Sequence, residues 1–344
     1  MQSDKKLLET LDRKALFPPP LWMMRQAGRY LPEYREVRAR AGSFWTMCTT
    51  PELATEVTLQ PIWRFGFDAA IIFSDILVIP FALGVAVSFE GGGGPKLSPI
   101  CDAGTLERSL QNAEQKLSFV YEALRLARQM LGSSTPLLGF AGAPWTLASY
   151  MAAGGGGDEQ KAARLWAYRD PAGFQALIDI LVESVSGHLI HQLGAGADAV
   201  QLFDSWATGL PPEEFSRWVV EPTKRIVANI RTADPHARII GFPRGATLKG
   251  YEHYMRETGV DGLSLGTAVP IDWAVDTLGT KVALQGNLDP LALVAGGSAL
   301  AGGVERILDA TREVPFIFNL GHGVLPETPI EHVEELVRLV RSGR

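Results

Sequence analysis

Along this chain the apolar positions fall into short, nearly continuous runs separated by longer stretches of helical period. The runs are Leu21–Met24, Ala69–Phe73, Leu137–Phe140, Ala199–Phe203, Ile239–Phe242, Gly262–Leu265, Val282–Gln285 and Phe316–Leu320. Strands covered on both faces read this way rather than as alternations, and parallel neighbours need a long, usually helical, crossover between them. The intervening segments supply it. Thr105–Leu131 carries apolar residues at helical spacing with charges between, and Pro171–Leu193 does the same behind a proline. A third helix begins near Pro212-Glu213-Glu214 with acids in its first turn, and Glu331–Val340 closes the chain as an amphipathic helix. Eight strands alternating with helices predict an α/β fold, a single (β/α)8 TIM barrel, and no sequence repeat is visible beyond that alternation. One such barrel fills 344 residues, so one domain spanning 1–344 is expected.

Composition narrows the chemistry. With 32 Lys and Arg against 38 Asp and Glu, a net charge of −6 and no dense basic block, the phosphate-neutralising surface of a nucleic-acid binder is missing. The two cysteines, Cys48 and Cys101, lie far apart without neighbouring ligands, which excludes a disulfide scaffold and a thiolate zinc site and fits a reducing compartment. The first residues, Met1-Gln2-Ser3-Asp4-Lys5-Lys6, have no apolar signal-peptide core, so a cytosolic protein is expected. The apolar stretch Asp68–Phe89 holds Asp75 at its middle and Pro80 beyond, and so reads as a buried strand entering a loop rather than a membrane span. The glycine runs Gly91–Gly94 and Gly154–Gly157 read as connecting loops, because neither carries the Lys-Ser/Thr of a phosphate-gripping loop.

A barrel places its active site where the strands end at their carboxyl side, so the residues delivered there matter most. They are Arg25, Asp75, Gly142-Ala143-Pro144, Asp204-Ser205, Arg244, Thr267, Asn287 with Asp289, and His322. Arg25 and Arg29, four apart, point the same way if their segment makes one helical turn, and each fork suits a carboxylate. The competing reading gives them ordinary ion pairs with Glu33 and Glu36, while Arg38 and Arg40 belong to a solvated helix face. Asp75 at a barrel mouth would be neutralised by desolvation unless cations or N–H donors hold it ionised. Tyr150, on the helix opened by Pro144, is either a packed tyrosine or a ligand contact. Ser205 either caps its turn or binds, and His322 between two glycines is placed to donate to an anion. These residues describe a barrel enzyme for a carboxylate-rich ligand.

Six segments carry a resemblance. They are Met24-Arg25-Gln26-Ala27-Gly28-Arg29-Tyr30-Leu31-Pro32-Glu33-Tyr34, Phe73-Ser74-Asp75-Ile76-Leu77, Gly139-Phe140-Ala141-Gly142-Ala143-Pro144-Trp145-Thr146, Leu202-Phe203-Asp204-Ser205-Trp206, Gln285-Gly286-Asn287-Leu288-Asp289-Pro290 and Asn319-Leu320-Gly321-His322-Gly323. Together, in this order, they resemble the uroporphyrinogen decarboxylase family over essentially the whole chain. The resemblance implies a distorted barrel, a cytosolic homodimer, no cofactor and no metal. Its substrate would be uroporphyrinogen, whose four acetate side chains lose carbon dioxide to give coproporphyrinogen. It further implies that Arg25, Gln26, Ala27, Gly28 and Arg29 form a substrate-binding stretch, that Asp75 is the key acid, and that Tyr150, Ser205 and His322 are ligand contacts. With that substrate, Asp75 is expected to stay ionised and stabilise a developing ring cation while Arg25 or Arg29 pairs with the reacting carboxylate. Trp206 stands where some relatives carry His, and Arg244 where Lys is familiar. Two alternatives remain: a corrinoid-linked methyltransferase of the same fold, which would need zinc-bound thiolates, and a non-catalytic tetrapyrrole carrier, which would not need Asp75.

Overall fold

A computed structural model describes residues 5–89, 94–106, 110–157 and 159–343. Among them β1 (Ala70–Ile71), β4 (Leu137–Gly142), β5 (Ala199–Asp204), β6 (Ile239–Pro243), β7 (Gly262–Ser264), β8 (Ala283–Leu288) and β9 (Phe316–Leu320) form one curled, all-parallel sheet in that spatial order. A separate antiparallel ribbon pairs β2 (Val87–Ser88) with β3 (Lys96–Leu97). The crossovers are helical, as the apolar period predicts. The helix Pro171–Gly194 is long and apolar enough to cross a membrane by length and composition, yet it packs along β4, β5 and the helix Glu221–Ala233, with Phe174, Leu177, Leu181 and Val185 buried. The expected helix over Thr105–Leu131 is instead two helices, Leu110–Lys116 and Ser118–Met130, after a 3-10 turn at Ala103–Thr105. Three of the four glycines of the run Gly91–Gly94 lie outside the described residues, while Gly154 caps the helix Pro144–Ala153 in the left-handed region.

Seven of the eight expected strands stand in this sheet. The eighth run, Leu21–Met24, makes only an isolated parallel bridge from Leu21 to Phe318 of β9. Prolines at 18, 19 and 20 remove three donors just before it, and the chain turns away at Arg25. What the segment lacks in ladder it makes up in single bonds. The Trp22 N–H donates to Phe318 O at 3.3 Å, the Phe318 N–H to Pro20 O at 2.9 Å, and the Met24 N–H to the Asn319 side-chain oxygen at 2.9 Å.

A repeat that the apolar pattern does not display governs the strand starts. Gly66-Phe67-Asp68, Gly196-Ala197-Asp198 and Gly259-Val260-Asp261 each follow a helix, with the glycines at φ +65°, +111° and +71°. Glycine adopts that backbone without the steric cost other residues meet. In each case the Asp makes a two-bond ring with a neighbouring segment. Asp68, Asp198 and Asp261 donate their N–H to Leu21 O, Leu137 O and Ile239 O at 2.8, 2.7 and 2.9 Å. The N–H groups of the same three residues donate back to the Asp Oδ2 at 2.9, 2.8 and 2.8 Å. Each carboxylate also meets an arginine: Arg341, Arg128 and Arg231 respectively.

Inside the curl lies a core of Leu7, Leu8, Leu11, Trp22, Met24, Ala69, Leu138, Ala199, Ile240, Phe242, Ala283 and Ile317. The N-terminal helix Lys6–Leu11 therefore plugs the end where the strands begin, and an added Cβ at Gly262 would stand 2.7 Å from Leu11. Above this plug a polar layer crosses the interior: Trp22 Nε1 donates to Gln285 Oε1 at 3.0 Å, and Gln285 Nε2 reaches Gln201 and Ser264, both at 3.1 Å. The end where strands begin is thus filled, which leaves the opposite rim for chemistry.

Candidate active site

Parallel strands bring their carboxyl ends to one rim. There Asp75 follows β1, Ser205 follows β5, Arg244 follows β6 and His322 follows β9, while the helix Pro144–Ala153 after β4 carries Tyr150. Two polar residues of that rim serve the fold. The Asn287 amide donates to Gly266 O and Val269 O at 3.1 and 2.7 Å, and Asp289 caps the helix Pro290–Ala295.

The segment of Arg25 and Arg29 is a turn, not the helical turn the spacing predicts. Arg25 sits at φ +58°, and no helix begins between Arg25 and Pro32. Gln26 explains how the turn is held. Its side chain is fully buried, accepts from the Met23 N–H and donates to Ala69 O, both at 3.2 Å, and its carbonyl accepts from the Tyr30 hydroxyl at 2.7 Å. Gln26 therefore faces inward and anchors the turn to the start of β1, while Ala27 and Gly28 lie half-exposed in the same turn. The Arg25 methylenes run over Gly323, where an added Cβ would stand 2.4 Å from Arg25 Cδ and 2.7 Å from Cγ.

Electrostatics identifies which groups share one space. Burial raises the Asp75 carboxyl pKa, and the Leu77 N–H, 2.8 Å from Oδ1, and the Arg25 charge oppose it. Crowded by protein yet still partly accessible, Asp75 has the setting of a group at the bottom of an opening. The Tyr150 hydroxyl is raised by burial, with an opposing hydrogen bond from Trp206 and weaker influences of Asp75 and Arg25. His322 is pushed down to about 4 by burial, then by Arg244 and by Arg25. Arg25 thus acts on Asp75, Tyr150 and His322 alike. Arg29 is exposed and acts on Tyr34 instead. Glu33 is taken by Arg64, which grips it at 2.7 and 3.0 Å, so neither Arg25 nor Arg29 has a carboxylate partner among the described residues. On the solvated helix face, Arg40 pairs with Glu56.

Ser205 and Tyr150 are tied together through residues that sequence reasoning did not assign to the site. The Thr146 hydroxyl donates to Asp204 Oδ1 at 2.5 Å and accepts from the Trp206 N–H at 3.1 Å, while Trp145 Nε1 donates to Trp206 O at 2.9 Å. The turn after β5 is thereby fastened to the helix bearing Tyr150, whose ring meets Trp206 edge-on at 5.9 Å. Burial drives the Asp204 carboxyl up to about 7, against the Thr146 bonds. Arg244, which its place at the end of a strand put at the rim without a role there, donates from Nη1 to Ser205 O at 3.3 Å.

A curled parallel sheet whose rim gathers Arg25 and Arg244, neither with a carboxylate ion pair among the described residues, beside the half-buried Asp75 defines an α/β protein with a cationic rim suited to carboxylates. The chain belongs to the uroporphyrinogen decarboxylase family: the family model "Uroporphyrinogen decarboxylase (URO-D)" matches residues 2–343. It is 52% identical over 341 residues to the uroporphyrinogen decarboxylase of Brucella canis, covering 99% of both chains. The Brucella melitensis protein of the same name is 52% identical over 339 residues, 98% of this chain and 99% of its own. Among solved structures, a methyltransferase from Methanosarcina mazei superposes with a TM-score of 0.81 over 99% of this chain and 98% of its own, at 20% identity. A B12-independent methionine synthase from a Shewanella species reaches 0.52 over 85% of this chain and 88% of its own, at 14% identity. At such identities the likeness is one of fold.

Proposed function

We propose that this chain decarboxylates the four acetate side chains of uroporphyrinogen III, giving coproporphyrinogen III and carbon dioxide. Membership of the family supports the reaction, and the observation that carries the site is that Asp75, Tyr150, Ser205 and His322 stand at one rim of the parallel sheet, where the Arg25 side chain runs over Gly323 beside His322. The ligand brings eight carboxylates and four pyrrole N–H groups, so cations meet its arms and one carboxylate accepts its inward N–H bonds.

The electron balance follows. A pyrrole acetate has no place for the electron pair of its C–CO2 bond until the neighbouring ring carbon takes a proton. The cationic ring then accepts the pair, carbon dioxide leaves, and the exocyclic carbon gains a proton as the ring carbon returns one. One proton is consumed per arm. Asp75, ionised, orients the N–H groups and stabilises the ring cation as it forms, and Arg25 or Arg29 pairs with the reacting carboxylate. Ala27 and Gly28 contribute backbone in the same turn, Gln26 holds that turn, and Tyr150, Ser205 and His322 are contacts of the bound ligand.

The same reading closes the sheet. The Leu21 segment takes the eighth place between β9 and β1, supported by the Asp68 ring, which repeats the rings at Asp198 and Asp261. Residues 1–344 then form a single barrel domain working as a cytosolic homodimer, a setting in keeping with the free thiols of Cys48 and Cys101. A zinc-thiolate methyltransferase is disfavoured by chemistry: neither cysteine has ligand neighbours, and no group of three or more His, Cys, Asp or Glu among the described residues is placed to hold a metal. Anaerobic incubation with uroporphyrinogen, resolving products of seven, six, five and four carboxylates, is the test. Shortened products are expected, and binding without any shortened product would overturn the reading in favour of a carrier.

A further inference from the structure

Arg244 closes β6, and its guanidinium is half-buried without a carboxylate partner among the described residues. Asp204, at the end of the neighbouring strand, takes the Thr146 hydroxyl on Oδ1 and forms no ion pair with Arg244, its Oδ2 remaining buried without a hydrogen-bond partner among the described residues. A guanidinium presents five N–H donors, and among the described residues a single long bond, to Ser205 O at 3.3 Å, is made. The backbone fixes where that side chain starts. The Arg244 N–H donates to Asp204 O at 3.0 Å, and Gly245, at φ +78°, turns the chain so tightly that an added Cβ would stand 2.7 Å from Thr208. Arg244 is also the larger of the two cationic influences on His322, and Arg25 is the cation that acts on Asp75. The rim thus holds two cationic stations, one shared with the deep carboxylate and one beside Ser205 and His322.

We propose that Arg244 grips a carboxylate arm of the tetrapyrrole that is not reacting, beside Ser205 and His322, and so anchors the macrocycle by an arm the reaction retains. This rests on the decarboxylase reading. An anchor on a retained arm contributes equally before and during the chemical step, so its loss raises KM and leaves kcat largely alone. Hydrogen bonds to a charged partner predict a rise of about tenfold to a hundredfold.

The experiment compares the full-length parent, Arg244→Met and Arg244→Lys under anaerobic conditions. It measures kcat and KM for uroporphyrinogen, and the Kd of coproporphyrinogen by quenching of tryptophan fluorescence. Arg244→Met is expected to raise both KM and the coproporphyrinogen Kd by similar factors, with Arg244→Lys between it and the parent. If Arg244→Met is misfolded, the Lys variant carries the test, since it keeps the charge and loses the fork. Unchanged KM and Kd, or a fall in kcat at constant KM, would overturn the proposal and leave Arg244 as a brace for the Ser205 carbonyl. A parent that binds coproporphyrinogen but makes no product would sink the decarboxylase reading alone, because the binding comparison still reports on Arg244.

Discussion

In the proposed mechanism Asp75 must stay charged in a crowded opening, where burial raises its pKa and, among the described residues, the Leu77 N–H and Arg25 oppose it. If it stabilises a cation that exists only on the way to products, Asp75→Asn keeps the shape and loses the charge. The expected result is a kcat lower by about a hundredfold or more, on the order of 3–4 kcal/mol, with a much smaller change in KM. Steady-state kinetics on the parent and Asp75→Asn decides it, and an unchanged kcat would remove Asp75 from the mechanism. His322 makes the complementary case. Its folded value of about 4 lies below the ordinary 6.5, so between those values the unfolded chain binds the proton first and stability falls as pH falls through that window. A ligand carboxylate beside His322 offsets the field of Arg244 and Arg25, the smaller causes after burial, and pairs with the imidazolium. Binding therefore takes up a proton and tightens as pH drops from about 6.5 toward 5. Calorimetry in buffers of different ionisation enthalpy should detect that proton, and His322→Gln should abolish it.

Elements explain why some of this was legible in the sequence and some was not. Asp75, Ser205, Arg244 and His322 were readable because each follows a continuous apolar run, and a buried parallel strand delivers its next residues to the rim. The Arg25–Arg29 helical turn was not, because the left-handed Arg25 and the inward hydrogen bonds of Gln26 are set by tertiary contacts that no periodicity encodes. The Asp204–Thr146–Trp206 link is likewise a contact between the first turn of the helix Pro144–Ala153 and the end of β5, 58 residues apart. The two glycines around His322 looked equivalent and are not. A Cβ at Gly321 would stand 2.4 Å from the Thr267 backbone nitrogen, which cannot move cheaply, whereas one at Gly323 meets the flexible Arg25 side chain. Gly321→Ala should lower the thermal midpoint by several degrees, consistent with overpacking costs of about 1–3 kcal/mol. Gly323→Ala should leave the midpoint nearly unchanged and raise KM, since Arg25 must leave its seat. Parallel melts and kinetics separate the two, and equal losses of stability would contradict the distinction.

At the scale of the whole molecule the question is what holds the Leu21 segment, because Arg25 hangs four residues beyond it. Strands inside the sheet are laddered on both sides, so the aspartate rings at their starts are additions to a structure that already stands. The Leu21 segment has one bridge to β9, and on its other side the Asp68 ring is its link to the strand β1. Removing that carboxylate leaves the Leu21 N–H without its acceptor, at a cost of about 1–3 kcal/mol. It also loosens the seam from which the cationic turn is suspended. Asp68→Ala is therefore expected to lose stability and to raise KM together, while Asp68→Asn, which keeps an acceptor oxygen, loses less of both. Asp261→Ala supplies the contrast. It breaks the same kind of ring at the start of β6, the strand leading to Arg244, but β6 remains paired with β5 and β7, so stability should fall by a similar amount with KM little changed. Urea unfolding and kinetics on the three variants measure both quantities. Should Asp68→Ala and Asp261→Ala shift KM alike, the seam would have no special hold on the site, and the Leu21 segment would be one more laddered stave rather than the point at which the cationic rim depends on closure.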